Sequence, residues 1–320
     1  MWKLDYYIDA ALGKSLYKRF PFIKYKRDTK FNNDQFAYYN FWYWFNYKKF
    51  WISEFIKKRW ITNKSIDYIS VFGPRKVIRY LKNKKVFYTA EDIGRGSINW
   101  FYDYNDYLLE DVDLSIWFRE YRNKNYIRFP LRITQLITPW MQLNDIEKLI
   151  DEINDRKNIC RTKFCTLIAR HDKSWERERI YKKLEKYWHI DCPSKFLHNL
   201  DINLPYYEEK RKFMEDYRFN ICLENHSIKW YVTEKLIDAL LSKCIPIYNW
   251  ILTDFDKQVI NEEAIINTMN SNRLKQVEEL ELDINNYENF ISIKPFKKDA
   301  PLILNQKLNE LESKLRKILN

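Results

Sequence analysis

Tyr217-Arg218-Phe219-Asn220-Ile221-Cys222-Leu223-Glu224-Asn225, followed after five residues by Tyr231-Val232-Thr233-Glu234-Lys235-Leu236-Ile237-Asp238-Ala239-Leu240 and then Cys244-Ile245-Pro246-Ile247-Tyr248, decides how this chain is read. The first run is short and apolar enough for a buried strand ending at Leu223. The second has helical spacing and opens at Thr233, a favoured N-cap residue. The third is another strand. A strand, a helix and a strand in that order make a parallel pair with a right-handed crossover. The N-terminus of such a helix presents unpaired N–H groups and about half a positive charge, a seat for a diphosphate. Lys235 stands in the first turn, where the dipole disfavours a cation. It fits either an anion resting on the helix end or an ordinary surface lysine.

The same rhythm recurs on both sides. Phe164–Ala169 reads as a buried strand and Trp175–Tyr187 as a basic amphipathic helix. In the first half, Tyr68–Phe72 is a strand closed by Gly73-Pro74, a helical stretch runs to Leu81, and Lys85–Thr89 is a second strand. Glu91 follows it by two residues. Ligands in open α/β sheets bind beyond the carboxyl ends of strands, so Glu91 has the right address for chemistry. A polar helix over 143–156 marks the domain boundary. The expected organisation is two Rossmann-like α/β domains, 1–156 and 157–300, facing a cleft in the GT-B manner. An amphipathic helix over 301–320 completes it.

Composition narrows the function. The 320 residues contain four glycines, so neither a P-loop nor a G-x-G-x-x-G fingerprint exists, and phosphates must be held by side chains and a helix end. The net charge is +12. Basic residues are spread along the chain with acids interleaved and no nucleic-acid motif, so no nucleic-acid partner is expected, and a weak attraction to anionic membrane fits better. No run approaches the length that spans a bilayer and no cleavable leader pattern opens the chain. A cytoplasmic protein, peripheral at the inner membrane face, is expected. The five cysteines form no C-x-x-C pair and read as reduced, buried hydrophobes; no metal site is expected. The D-x-D at Asp111-Val112-Asp113 reads as structural. The aromatic stretch over 36–60 reads as a two-sided amphipathic helix, packed in the core or lying at headgroup depth. Leu304, Leu308, Leu311, Leu315 and Ile318 repeat at 4-3-4-3, which fits equally a homodimer seam or a helix docked on its own body.

The opening stretch closely resembles the donor-site signature of the α-1,3-fucosyltransferases, glycosyltransferase family 10. Val86-Phe87-Tyr88-Thr89-Ala90-Glu91-Asp92 resembles that family's strand ending in Thr-Gly-Glu-Asn, and Tyr126-Ile127-Arg128-Phe129-Pro130-Leu131 its Leu-Arg-x-Pro-Leu segment. The resemblance implies transfer of L-fucose from GDP-fucose to the 3-hydroxyl of an N-acetylglucosamine-type residue. The acceptor would be an oligosaccharide or lipid-linked glycan such as lipopolysaccharide, with inversion and no required cofactor. It implies Glu91 as general base, and Arg177, Asn225, Tyr231, Thr233, Glu234 and Lys235 as donor contacts. Arg179 aligns almost as well as Arg177, and Glu224 is the next candidate base. The membrane anchor and stem of the family's eukaryotic Golgi members are not read in this sequence, and a bacterial or viral enzyme is expected. Alternatives are a transferase for another GDP-sugar or a non-catalytic glycan- or membrane-binding protein of the same fold. Departures are Ala90 for glycine and Tyr248-Asn249-Trp250 where the family places Trp-Gly after its tyrosine.

Overall fold

The computed structural model describes residues 35–41, 45–93, 101–156, 161–172, 174–202, 204, 207–225, 229–249, 251 and 253–320. They form two compact units. One holds the described residues up to Pro130 with Thr138–Trp140 and Lys307–Asn320; the other holds Leu131–Ile137 and Met141–Gln306.

The first unit is built on a five-stranded parallel sheet: β1 (Phe36–Tyr39), β2 (Ile66–Ile69), β3 (Lys84–Tyr88), β4 (Leu114–Trp117) and β5 (Tyr126–Arg128), side by side in chain order. The expected helix over 36–60 is corrected here. Phe36–Tyr39 is strand β1, and among the described residues of the stretch the α-helix is confined to Trp51–Lys58, α1, after a 3-10 turn over Tyr47–Lys49. Four consecutive buried residues have no period to read, and a strand covered on both faces produces that pattern. The rings pack inward: Tyr38 stacks on Tyr68 at 5.3 Å, Phe41 on Phe45 at 4.2 Å, and Phe50 meets Tyr88 edge-on. These aromatics are core. Trp42, Tyr43 and Trp44 lie outside the described residues. The stretch expected to be helical up to Leu81 forms 3-10 turns over Arg75–Tyr80.

The second unit has a parallel sheet of β6 (Lys163–Thr166), β7 (Ile190–Asp191), β8 (Tyr217–Ile221), β9 (Ile245–Tyr248) and β10 (Ile266–Asn267), in spatial order β10-β9-β8-β6-β7. Its helices are α2 (Leu131–Leu136), α3 (Leu143–Asn154), α4 (Glu176–Leu184), α5 (Tyr207–Met214), α6 (Glu234–Leu241), α7 (Asp254–Val259), α8 (Lys275–Leu282) and α9 (Ile284–Ile291). The core gathers Leu167, Ile180, Phe219, Ile221, Ile245, Ile247 and Val277. Cys165, Cys192, Cys222 and Cys244 are buried free thiols. The boundary expected at 156 falls earlier, because α3 belongs to this unit. It buries Ile146, Ile150 and Ile153, and the Asn154 amide clasps the Phe296 backbone, donating to its carbonyl at 3.1 Å and accepting from its N–H at 2.9 Å.

The last helix, α10 (Ala300–Leu319), is not a separate element: its residues from Lys307 onward belong to the first unit. Leu304, Leu308, Leu311, Leu315 and Leu319 are fully buried within this one chain. The last contact is Leu319 rather than Ile318, since a straight helix drifts ahead of a strict seven-residue repeat. The Arg316 guanidinium donates to the carbonyls of Arg59 at 2.7 Å and Trp60 at 3.1 Å, and Arg59 pairs with Glu312 at 3.0 Å. The heptad leucines are therefore covered by the chain itself, which fits, of the two alternatives, the helix docked on its own body. Among the described residues, no helix is long and apolar enough to cross a membrane.

Candidate functional site

In the second sheet the chain moves from β6 outward to β7, then returns to place β8 on the other side of β6. Between β6 and β8 the crossovers leave in opposite directions, which opens a crevice at the carboxyl ends of the strands. A recess lies there, lined by Ile168 beyond β6, by Asn220 to Leu223 at the end of β8, and by Arg177, Lys210 and Lys235. Crossover helices run back against the strands, so the N-terminal turns of α4, α5 and α6 all point to this end. Each supplies one of the three cations.

Helix α6 opens as the sequence indicates. Thr233 is its N-cap and its hydroxyl accepts from the Lys235 N–H. Beneath it sits Glu224, 1% exposed. Its carboxylate accepts from the Thr233 N–H at 2.8 Å, the Thr233 hydroxyl at 2.7 Å, the Tyr248 hydroxyl at 2.7 Å and Lys235 Nζ at 3.1 Å. The Glu224 N–H in turn donates to Asn249 Oδ1 at 3.0 Å, so the residue standing where the family pattern differs fixes the loop. A buried carboxylate survives only when its lone pairs are met by donors, and these are. Glu224 therefore works as scaffold for the cap and for Lys235. The base role held open for it is not what this geometry provides.

Lys235 also donates to Thr233 Oγ1 at 3.0 Å and Glu234 Oε1 at 3.2 Å. Burial pulls its ammonium down, but the Glu224 and Glu234 carboxylates outweigh that and hold it above the usual lysine range. Burial pushes the Glu234 carboxyl up, and the Lys235 and Lys210 ammoniums more than reverse this, leaving it below the usual range.

Arg177 is 3% exposed. Its guanidinium donates to the carbonyls of His171 at 2.5 Å and Leu223 at 2.7 Å, and to Asn225 Oδ1 at 2.9 Å, tying α4 to the loop after β8. Desolvation lowers its affinity for the proton, partly offset by Asp172, Glu224 and Glu234. Arg179 points the other way, pairing with Glu176 at 2.7 Å on the surface. The two-residue ambiguity of the sequence is thus resolved as to which arginine faces the recess. Asn225, Thr233, Glu234, Lys235 and Arg177 converge around this strand end, and Tyr231 stands half-buried in the segment leading into α6. His226 lies outside the described residues.

Lys210 is the residue sequence reading missed. The signal for it was Asp238, an acid inside the apolar run Leu236-Ile237-Asp238-Ala239-Leu240, which demands a buried partner. Asp238 is completely buried and binds Lys210 Nζ at 2.7 Å and Arg211 Nε at 2.8 Å. Nothing in the 28-residue separation announces which cations answer it.

Glu91 lies in the first unit, beyond the carboxyl end of β3. Its N–H donates to Thr89 Oγ1 at 3.1 Å, and its carbonyl accepts from the Trp117 indole at 3.0 Å. Next to it Asp92 pairs with Arg119 at 3.1 Å. The D-x-D of this unit is structural: Asp111 holds Arg75, and Asp113 holds Lys84 and accepts from the Lys85 N–H.

A cation-lined crevice at the topological switch point of a Rossmann-like sheet, beside a capped helix N-terminus, is the type of place where open α/β sheets bind anionic ligands. Residues 157–313 match the model of glycosyltransferase family 10 (fucosyltransferase) C-term, and that part of the chain is a family 10 domain. It is 28% identical over 199 residues to the alpha-(1,3)-fucosyltransferase FucT of Helicobacter pylori; the match covers 54% of this chain and 39% of that protein. The chain thus spans about two fifths of the length of this curated relative. A crystal structure of an alpha1,3-fucosyltransferase shares the fold with a TM-score of 0.60 at 19% identity, covering 91% of this chain and 93% of the other. Another, of an alpha1,3-fucosyltransferase with GDP-fucose, gives 0.56 at 20% identity, covering 97% and 96%.

Proposed function

We propose that the chain is an α-1,3-fucosyltransferase that moves L-fucose from GDP-fucose to the 3-hydroxyl of an N-acetylglucosamine-type residue of a surface glycan, with inversion. The observation that carries the reading is the convergence of Arg177, Lys235 and the N-terminus of α6 on the β6–β8 switch point, inside the stretch that matches the family 10 domain. The acceptor oxygen attacks the anomeric carbon while the bond from that carbon to the β-phosphate oxygen breaks. The acceptor proton passes to the Glu91 carboxylate, and GDP leaves with the bonding pair. Negative charge grows on the diphosphate, where fixed cations and backbone dipoles stabilise it without reorganising. Arg177 suits this role because its partners are two carbonyls and an amide, so its charge is not neutralised in direct contact.

Calorimetric titration of GDP-fucose, with GDP-mannose and UDP-galactose as controls, tests the donor. GDP-fucose is expected to bind, and Arg177→Ala to weaken it. Preference for GDP-mannose would replace the donor assignment, and no binding of any nucleotide sugar would leave a non-catalytic protein of the same fold. Glu91→Gln is expected to lower transfer by about 10²–10⁴-fold with GDP affinity unchanged, the usual contribution of a positioned base. Full activity in that variant would remove Glu91 from the role.

A further inference from the structure

We infer that Lys210 is a third ligand for the donor's diphosphate, held in place by Asp238; the inference rests on the donor reading above and concerns the same recess. Three ammonium and guanidinium groups line that recess, and their hydrogen-bonding capacity is not equally committed. A lysine carries three N–H donors. Those of Lys235 are matched one for one by Glu224, Thr233 and Glu234. Lys235 must therefore release a partner before it can meet a phosphate oxygen. Among the described residues Lys210 spends a single donor, on Asp238 Oδ2 at 2.7 Å, and keeps two.

The pairing at Asp238 explains why. Arg211 alone would neutralise this buried carboxylate, since it already donates to Oδ1 at 2.8 Å. Adding Lys210 leaves one positive charge in excess at the carboxylate, and that charge is on the side chain lining the recess. A long flexible lysine normally loses entropy when it is fixed. Asp238, immobile inside α6, fixes it beforehand, so an arriving anion finds it oriented. Asp238 is a positioning residue in this scheme, and Lys210 touches the ligand.

The test uses the whole chain and two probes, GDP and inorganic pyrophosphate, with guanosine as a control. Lys210→Met is expected to weaken GDP and pyrophosphate by about 10–100-fold, the weight of a lost charge-assisted hydrogen bond, and to leave guanosine unchanged. Lys210→Arg is expected to stay within about threefold of wild type. Asp238 remains paired with Arg211 in both. Lys210→Gln, whose amide can still donate to Asp238, carries the same test should the methionine variant melt early. Unchanged GDP and pyrophosphate affinity in Lys210→Met or Lys210→Gln overturns the inference. Equal loss of guanosine overturns it too, because that pattern means a damaged fold. Wild type that takes pyrophosphate but not GDP sinks the donor reading while leaving Lys210 to be judged on pyrophosphate. Wild type that takes neither removes both.

Discussion

The two sheets of this chain have the same number of parallel strands and differ in order. In the first unit the described strands lie β1-β2-β3-β4-β5, each beside its sequence neighbour. In the second the order is β10-β9-β8-β6-β7, with a reversal between β6 and β8. That reversal parts the loops at the strand ends, and the polar machinery collects there: Glu224, Thr233, Lys235, Arg177 and the Asp238 cluster. Without a reversal among its described strands, the first sheet carries at its β3 end a loop pinned by backbone contacts, with Trp117 and Thr89 holding Glu91. Its interior is a nest of rings and leucines. Both units have apolar cores and some buried charge, but the dense charged network lies in the second and the aromatic packing in the first, so each should fail in its own way.

The largest effect is expected from Glu224→Ala. The substitution strands Lys235 beside Glu234 without its deeper partner and removes the acceptor for the Thr233 N–H and the Tyr248 hydroxyl. Breaking a buried, fully satisfied pair from one side costs about 3–5 kcal/mol. Chemical denaturation should show that loss, together with loss of GDP binding. A cost under about 1 kcal/mol would mean the charged network does not organise the second unit, and the contrast between units would collapse.

How much of this was legible in the sequence follows the same division. Thr233 as cap, the strand before it and the strand after α6 were readable, because capping chemistry and apolar run length are local. The switch point was not, since strand order is set by which sheet edge each crossover reaches. Lys210 was hidden for the same reason: Asp238 signals that a partner exists, and only the packing of α5 on α6 says which. In the first unit Phe36–Tyr39 read as helix because strings of aromatics fit any buried element. The leucine repeat of α10 showed an apolar stripe without showing what covers it.

The first unit should yield next, to Leu311→Ala. Leu311 is completely buried on the face of α10 that packs inside this chain. Truncating a buried leucine costs about 2–4 kcal/mol, from lost transfer energy and the cavity left behind. Sedimentation velocity should show the variant and the wild type with the same mass, because the seam is satisfied internally. A wild type that dissociates on this substitution would restore the intermolecular seam.

Acid should separate the two units most gently. The Glu234 carboxyl is held below its ordinary value in the folded protein, chiefly by Lys235 and Lys210 against the opposing effect of burial. A depressed folded pKa means the unfolded chain binds the proton more tightly. The stabilisation is then complete above the unfolded value, about 4.3, and drains away as pH falls through the lower folded value. The pair with Lys235 is partly solvated, with side-chain exposures of 20% and 26%, so its share is about 1 kcal/mol or less. Denaturation followed between about pH 5 and pH 3 should show Glu234→Gln less acid-sensitive than wild type, while Leu311→Ala shifts the curve by a constant amount. Parallel curves for Glu234→Gln and wild type would mean that proton linkage at the α6 cap does not distinguish the second unit from the first.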